Sequence, residues 1–211
     1  EFRTAQQLVH PNLVTLYNLT ADDEQWYFTM ELVDGDDLLT WLQGDVPQVS
    51  HDPVAQSGPP KPVAAPACDM ARLRPTLAQL ATAIIAIHDA GSLHRDLKPS
   101  NVLVRSDGRV VVLDFGLVTG LAGDETTERY LYGTVGYMAP EQAGSQPLGA
   151  AADWYSLGVM LFEALTGRRP FMGEPFQTLI AKQTRPAPAV RSMVEGAPDD
   201  LADLADRLLA R

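Results

Sequence analysis

His94-Arg95-Asp96-Leu97-Lys98-Pro99-Ser100-Asn101, followed after two short apolar runs by Asp114-Phe115-Gly116, decides how this chain folds and what it can do. Asp96 can accept a proton, and Asn101 and Asp114 offer oxygens to a divalent cation. The runs between them, Val102-Leu103-Val104 and Val110-Val111-Val112-Leu113, flank Ser106-Asp107-Gly108. That pattern predicts two strands joined by a tight turn, with Asp-Gly supplying the positive φ. Such a hairpin holds Asn101 at one end and Asp114 at the other, close in space. A carboxylate and an amide oxygen so placed suit a hard ion such as Mg²⁺, which takes oxygen ligands and shares them with substrate phosphates.

The chain has 211 residues and is 45% hydrophobic, enough for the core of one domain or a large part of one. Its net charge of −11 and pI near 4.6 count against nucleic acid or an anionic membrane as partner. Cys68 is the single cysteine, so neither an intrachain disulfide nor a zinc-finger spacing is available. No apolar run approaches the length of a membrane span and the amino terminus shows no signal-peptide pattern; the expected setting is the reducing cytoplasm.

Apolar periodicity places further elements. Leu13 to Tyr17 and Gln25 to Met30 read as strands separated by the polar turn Thr20-Ala21-Asp22-Asp23. Leu77, Leu80, Ala81, Ile84, Ile85 and Ile87 form one face of a helix ending at His88-Asp89-Ala90-Gly91, where Gly91 suits a C-cap. His88 is expected as a packed, hydrogen-bonded residue and not as a ligand. Leu157, Met160, Leu161 and Leu165 mark a second buried helix, ending at Thr166-Gly167, and Leu201, Leu204 and Leu208 a third in which the chain stops. Residues 44–74 hold six of the 16 prolines with Gly, Ser, Ala and few charges, which predicts a flexible surface insertion or, alternatively, a partner-docking segment.

At its motifs the chain resembles a protein kinase. The expected fold is therefore α+β and protein-kinase-like, a mainly helical C-lobe with the remnant of a β-rich N-lobe. The kinase signatures occur in order: H-R-D-L-x-x-x-N as His94 to Asn101, D-F-G as Asp114 to Gly116, and A-P-E as Ala139 to Glu141. Gly133-Thr134-Val135-Gly136-Tyr137-Met138 leads into the last, and Asp153-Trp154-Tyr155-Ser156-Leu157-Gly158 follows it. One three-residue string is weak; ordered matches from residue 94 to residue 158 are specific. The D-L-K-P-x-N form of the loop is similar to Ser/Thr kinases and unlike tyrosine kinases. Only Lys61, Lys98 and Lys182 are lysines among the 16 basic residues, so a lysine kept at position 98 suits a compact point charge. The Arg-rich, Ala-rich composition and the run from Gly133 to Gln142 resemble bacterial Ser/Thr kinases of eukaryotic type.

The resemblance implies ATP and Mg²⁺ as cofactors and a Ser or Thr hydroxyl of a protein substrate as acceptor. It makes Asp96 the catalytic base, Lys98 the stabiliser of the transferring phosphoryl group, and Asn101 and Asp114 the metal ligands. Met30 falls at the gatekeeper position. The backbone of Glu31 and Val33 is expected to meet the adenine edge and Leu103 to pack under the ring. Asp37 is expected either to bind the ribose or to act as a helix N-terminal carboxylate. His94 and Phe115 would be apolar support, Asp153 an acceptor for the catalytic-loop backbone or a helix N-cap, and Thr134 a contact of Asp96. Thr126 and Thr127 are candidate phosphosites, filled by an activating kinase or by self-phosphorylation, with Arg95 able to pair with the phosphate; the alternative is an ordinary polar loop.

By the same alignment, residues 1–33 correspond to part of an N-lobe (the end of a helix, two strands and the hinge). Residues 34–211 correspond to the C-lobe, with the insertion at about 44–74 and a cut before the last helix. Glu1 falls on the glutamate that pairs with a strand lysine in this family, and His10-Pro11-Asn12 stops its helix. Ala5 is small where the family places a bulky apolar residue. The lysine and the glycine-rich phosphate loop would precede Glu1, and the basic partner of Glu141 would follow Arg211. The chain is therefore expected to be a piece of a longer protein, inactive alone. Two other readings use the same residues: a pseudokinase scaffold that binds partners without turnover, and a small-molecule phosphotransferase with the same Asp–Asn–Asp geometry. The A-P-E segment, which builds a peptide platform in the family, favours a protein substrate.

Overall fold

The computed structural model describes residues 8–22, 25–44, 63–64, 68–115, 134–143 and 148–210. In chain order the elements are β1 (Leu16–Asp22), β2 (Gln25–Met30), β3 (Asp36–Asp37), α1 (Leu38–Gln43), β4 (Val63–Ala64) and α2 (Met70–Asp89). They continue with β5 (Val102–Val104), β6 (Val110–Val112), α3 (Ala151–Thr166), α4 (Pro175–Thr184), β7 (Val194–Glu195) and α5 (Asp199–Leu208). Short 3₁₀ turns lie at Pro99–Asn101, Pro140–Ala143 and Val190–Ser192. The class is the expected one, α+β with mainly helical content.

The hairpin between the two motifs is present, paired Val102↔Val112, Leu103↔Val111 and Val104↔Val110. All five valines of β5 and β6 are buried, as in strands covered on both faces, which read as unbroken apolar runs. The turn closes through Gly108 N–H to Arg105 O at 2.8 Å and Arg105 N–H to Arg109 O at 2.9 Å. Gly108, at φ 82°, takes the left-handed conformation, while the Asp107 carboxylate accepts from Arg109 N–H at 3.0 Å. Asp107 thus supports the turn by its side chain and leaves the positive φ to glycine.

Backbone from both flanks lines this hairpin. β3 pairs with β5, Asp37 opposite Leu103. On the other edge Val112 N–H donates to Asn12 O and Val14 N–H to Val112 O, each at 2.9 Å. Gln79 of α2 locks the corner: its Oε1 accepts from Asn12 Nδ2 at 2.9 Å and Val110 N–H at 3.1 Å, and its Nε2 donates to Gly108 O at 2.9 Å. Because residues 12–14 are drawn onto β6, Leu13 bridges Val112 and the first strand begins at Leu16, not Leu13. That strand runs through most of the expected turn, pairing antiparallel with β2 from Leu16↔Met30 to Asp22↔Gln25.

α2 begins at Met70, where the Asp69 carboxylate accepts from Ala71 N–H at 2.9 Å and Arg72 N–H at 3.3 Å, an N-cap. Within the proline-rich stretch Val63–Ala64 pair in parallel with β7. The insertion predicted over 44–74 therefore yields its last residues to α2 and two more to a strand; residues 45–62 and 65–67 lie outside the described residues. α2 ends in a Schellman cap, with Gly91 N–H on His88 O at 2.9 Å and Ser92 N–H on Ile87 O at 3.1 Å. Gly91 has the left-handed φ of 72° that this cap needs. The buried face is Leu73, Thr76, Leu80, Ala83, Ile84 and Ile87. Ile85, predicted on it, is 46% exposed, since its position falls well round the helix from Leu80.

α3 is the axis of the molecule. Every residue from 155 to 162 is buried, the mark of a helix enclosed on all sides, and α5 packs along it. It stops at Gly167, whose N–H reaches Glu163 O at 2.7 Å. The third predicted helix, α5, closes at Leu208 with Leu209 N–H on Ala205 O at 3.0 Å.

Candidate active site

The cap of α2 hands the chain to an irregular loop whose shape is imposed from α3. Asp153 accepts from His94 N–H at 2.9 Å and Arg95 N–H at 2.8 Å, and its Oδ2 lies 2.8 Å from His88 Nε2. It stands in the first turn of α3 but caps nothing, because Ala150 is the N-cap and no side chain closes it. Of its two readings, acceptor for the loop is the one observed, and His88 is hydrogen-bonded as expected. Arg95 at φ 69° and Asp114 at φ 54° are the left-handed non-glycine residues among those described. Nothing local favours that conformation in an arginine, so Asp153 must hold it.

His94 is 1% exposed. Its Nε2 lies 2.8 Å from Leu113 O, which fixes the proton on that nitrogen, and Nδ1 accepts from Asp96 N–H at 3.3 Å. Burial pushes the imidazole below its ordinary range, in keeping with a neutral ring that both donates and accepts. His94 and the buried Phe115 support the loop from within.

Asp96 is held on one oxygen and free on the other. Oδ2 accepts from Lys98 Nζ at 2.7 Å and Asn101 Nδ2 at 3.1 Å, and Asn101 Nδ2 also donates to Asp96 O at 2.8 Å. Oδ1 is buried and accepts nothing among the described residues, a situation that costs about 1–3 kcal/mol until a donor arrives. With its nitrogen committed to Asp96, Asn101 has its amide oxygen left as the atom that could ligate a cation. Asp114 makes no hydrogen bond among the described residues, and Leu113 N–H on Asn101 O at 2.9 Å keeps the two hairpin ends together. One carboxylate and one amide oxygen fit Mg²⁺, which completes its shell with water and phosphate oxygens. Among the described residues there is no group of three or more His, Cys, Asp or Glu that would form an all-protein metal cage.

Beside Asp96 and Lys98 runs the segment 134–138. Lys98 Nζ donates to Thr134 Oγ1 at 3.1 Å. Thr134 was expected on Asp96; instead the Lys98 ammonium stands between the two acceptors and serves both. Tyr137 OH donates to Glu163 Oε2 at 2.6 Å, and burial followed by the Glu163 charge pushes the phenol well above its ordinary range. Two residues that sequence reasoning passed over also work here. Gln142 accepts from Ala139 N–H at 2.7 Å and donates to Arg95 O at 2.8 Å, tying residues 139–142 to the loop that holds Asp96. Lys182 of α4 is 1% exposed and donates to three carbonyls of the segment. Burial, with the Arg169 charge, pushes its pKa down to about 7. Its scarcity as one of three lysines was the signal available.

On the nucleotide side, Glu31 N–H is taken by Thr15 O at 2.9 Å, while the Glu31 carbonyl and the Val33 N–H make no backbone bond among the described residues. Leu103 is half-buried in the middle strand. Asp37 shows its capping role: Oδ1 accepts from Leu39 N–H at 3.1 Å and Thr40 N–H at 3.2 Å, and Oδ2 from Thr40 Oγ1 at 2.6 Å. Glu1, Thr126 and Thr127 lie outside the described residues. Burial pushes the Cys68 thiol up to about 11, away from the thiolate form that a nucleophile needs. Among the described residues no helix is long and apolar enough to cross a membrane.

The site thus gathers a carboxylate with one clamped oxygen and, at the two ends of a hairpin, an amide and a second carboxylate. A family model described as the protein kinase domain matches residues 1–210. Serine/threonine-protein kinase PknL of Mycobacterium tuberculosis (strain H37Rv) is 34% identical over 214 residues, covering 100% of this chain and 48% of that protein. PkaA of Streptomyces coelicolor is 33% identical over 209 residues, 97% of this chain and 34% of that protein. PrkC of Bacillus subtilis is 33% identical over 183 residues, 86% of this chain and 25% of that protein. The chain belongs to the protein kinase domain family, with bacterial serine/threonine-protein kinases as its relatives, and spans between a quarter and a half of their length.

Proposed function

We propose that this chain carries the phosphotransfer centre of a cytoplasmic protein Ser/Thr kinase that uses ATP and Mg²⁺. The observation that carries the reading is the buried Oδ1 of Asp96, without a partner among the described residues, set beside an Oδ2 clamped by Lys98 and Asn101. The free oxygen is where a substrate hydroxyl donates its hydrogen; the clamp fixes its direction. Phosphoryl transfer passes through a loose transition state with dispersed charge, so positioning and electrostatics carry most of the catalysis. Lys98 orients Asp96 and brings a positive charge toward the transferring group. Asn101 Oδ1 and Asp114 would hold Mg²⁺, which when bound neutralises charge on the ATP phosphates. The Glu31 carbonyl and Val33 N–H would take the adenine edge over Leu103, and Asp37, while capping α1, would lie near the ribose.

Full-length protein with Asp96→Asn should transfer no phosphate from ATP to a protein acceptor, since an amide cannot take the hydroxyl proton. Turnover at the wild-type rate would sink the assignment. Regulation follows from Arg95, whose Nε is buried without a partner among the described residues: a phosphate on Thr126 or Thr127, placed by the protein itself or by another kinase, is the anion this guanidinium would take.

A further inference from the structure

Lys182 takes no part in the chemistry at Asp96, yet it is the charged residue buried in α4. Its Nζ donates to Val135 O at 2.8 Å, Gly136 O at 2.7 Å and Met138 O at 2.6 Å. It also stands 5.3 Å from the centroid of the Tyr155 ring. The one carbonyl of this run that it leaves, Tyr137 O, accepts from Ser156 Oγ of α3 at 2.9 Å. Four successive carbonyls are therefore drawn inward onto α3 and α4. At the head of the run, Thr134 is one ammonium away from the base, through Lys98. The segment is thus slung between two lysines, one at the reacting end and one beneath.

Burying an ammonium is expensive, and an apolar side chain of similar volume would fill the same space without that cost. What methionine or leucine could not do is gather three carbonyls that would otherwise point in three directions. We propose that Lys182 is a positioning residue for the polypeptide substrate, setting the shape of segment 134–138 against which the residues flanking the phosphoacceptor lie. The inference rests on the phosphotransfer reading above. Lys182 acts on the acceptor side, through backbone, and touches neither ATP nor the hydroxyl.

The test is steady-state phosphorylation of a degenerate Ser/Thr peptide library by full-length protein carrying Lys182→Met, with peptide and ATP varied separately. The expected result is a rise of about tenfold or more in the peptide KM, with the ATP KM and the kcat at saturating peptide changed by less than about threefold. Lys182→Gln, whose amide can still serve two of the carbonyls, should recover part of the peptide KM, and it decides the matter if Lys182→Met fails to fold. An unchanged peptide KM in the variant that folds, or equal losses in kcat and in both KM values, overturns the proposal. Asp96→Asn in the same assay separates the two ideas. Phosphate transfer that survives it refutes the phosphotransfer reading itself, whereas transfer lost there but indifferent to residue 182 refutes only the role of Lys182.

Discussion

Asp153→Asn is the sharpest single perturbation of this site, because it changes one atom and no volume. The wild-type carboxylate offers Oδ1 to Arg95 N–H at 2.8 Å and Oδ2 to His94 N–H at 2.9 Å and His88 Nε2 at 2.8 Å. An amide has one oxygen. Turned either way, its NH₂ must face a backbone N–H, so one buried donor loses its acceptor and meets a second donor. Hydrogen bonds to a buried charged group contribute about 1.5–3 kcal/mol each, and an unsatisfied partner adds its own desolvation. A loss of about 3 kcal/mol is therefore expected. With a urea slope of about 2 kcal/mol per molar, the unfolding midpoint should fall by about 1.5 M. Catalysis should suffer separately. Arg95 at φ 69° sits about 1–2 kcal/mol above a right-handed residue, and without Asp153 it can relax and carry Asp96 with it. A displacement of about 1 Å is enough to lower kcat by about 100-fold. Urea titration and single-turnover phosphate transfer on the full-length protein measure both. A midpoint within about 0.5 M of wild type together with wild-type turnover would refute the idea that Asp153 holds the loop.

Acid should weaken the fold through His94. Burial lowers its folded pKa below the unfolded value of about 6.5, so in the interval between them only the unfolded chain binds the proton. Stability from this group is thus fully present above about pH 6.5 and declines by up to about 1.4 kcal/mol per pH unit as pH falls toward the folded value. His94→Phe lacks this dependence, so the wild-type advantage in urea midpoint should shrink between about pH 7.5 and 5.5; an advantage independent of pH would contradict it. Mass spectrometry of active full-length protein should find phosphate on Thr126 or Thr127, and Arg95→Gln should abolish the gain in activity that accompanies it. Phosphate consistently elsewhere, with neither threonine modified, refutes that arrangement.

What could be read in the sequence was whatever short-range chemistry decides. The β5–β6 hairpin, the glycine end of α2 at Gly91 and that of α3 at Gly167 follow from apolar runs and glycines with no local competitor. The residues proposed for phosphotransfer stood out as an ordered string because one loop and one hairpin carry Asp96, Asn101 and Asp114. The features missed are those where distant groups override local preference. Arg95 and Asp114 adopt left-handed backbone with no glycine to announce it. β3 is two aspartates in a strand, where pairing to β5 is a backbone matter and composition argues against it. Leu13 leaves its predicted strand because β6 recruits the backbone beside it. Lys182 drew no role from the sequence because the carbonyls of residues 135, 136 and 138 that surround it come from a segment 44–47 residues away.

The enclosure of α3 bears on how the catalytic loop can open. His94 and Arg95 donate their amides to a side chain on a helix with no wet face between residues 155 and 162. Exchange of those amides requires breaking their bonds to Asp153, which is itself 1% exposed. The loop therefore has no private mode of fraying of the kind that surface loops enjoy. Slow hydrogen exchange at His94 and Arg95, closer to that of the core than to that of surface loops, is the expected consequence.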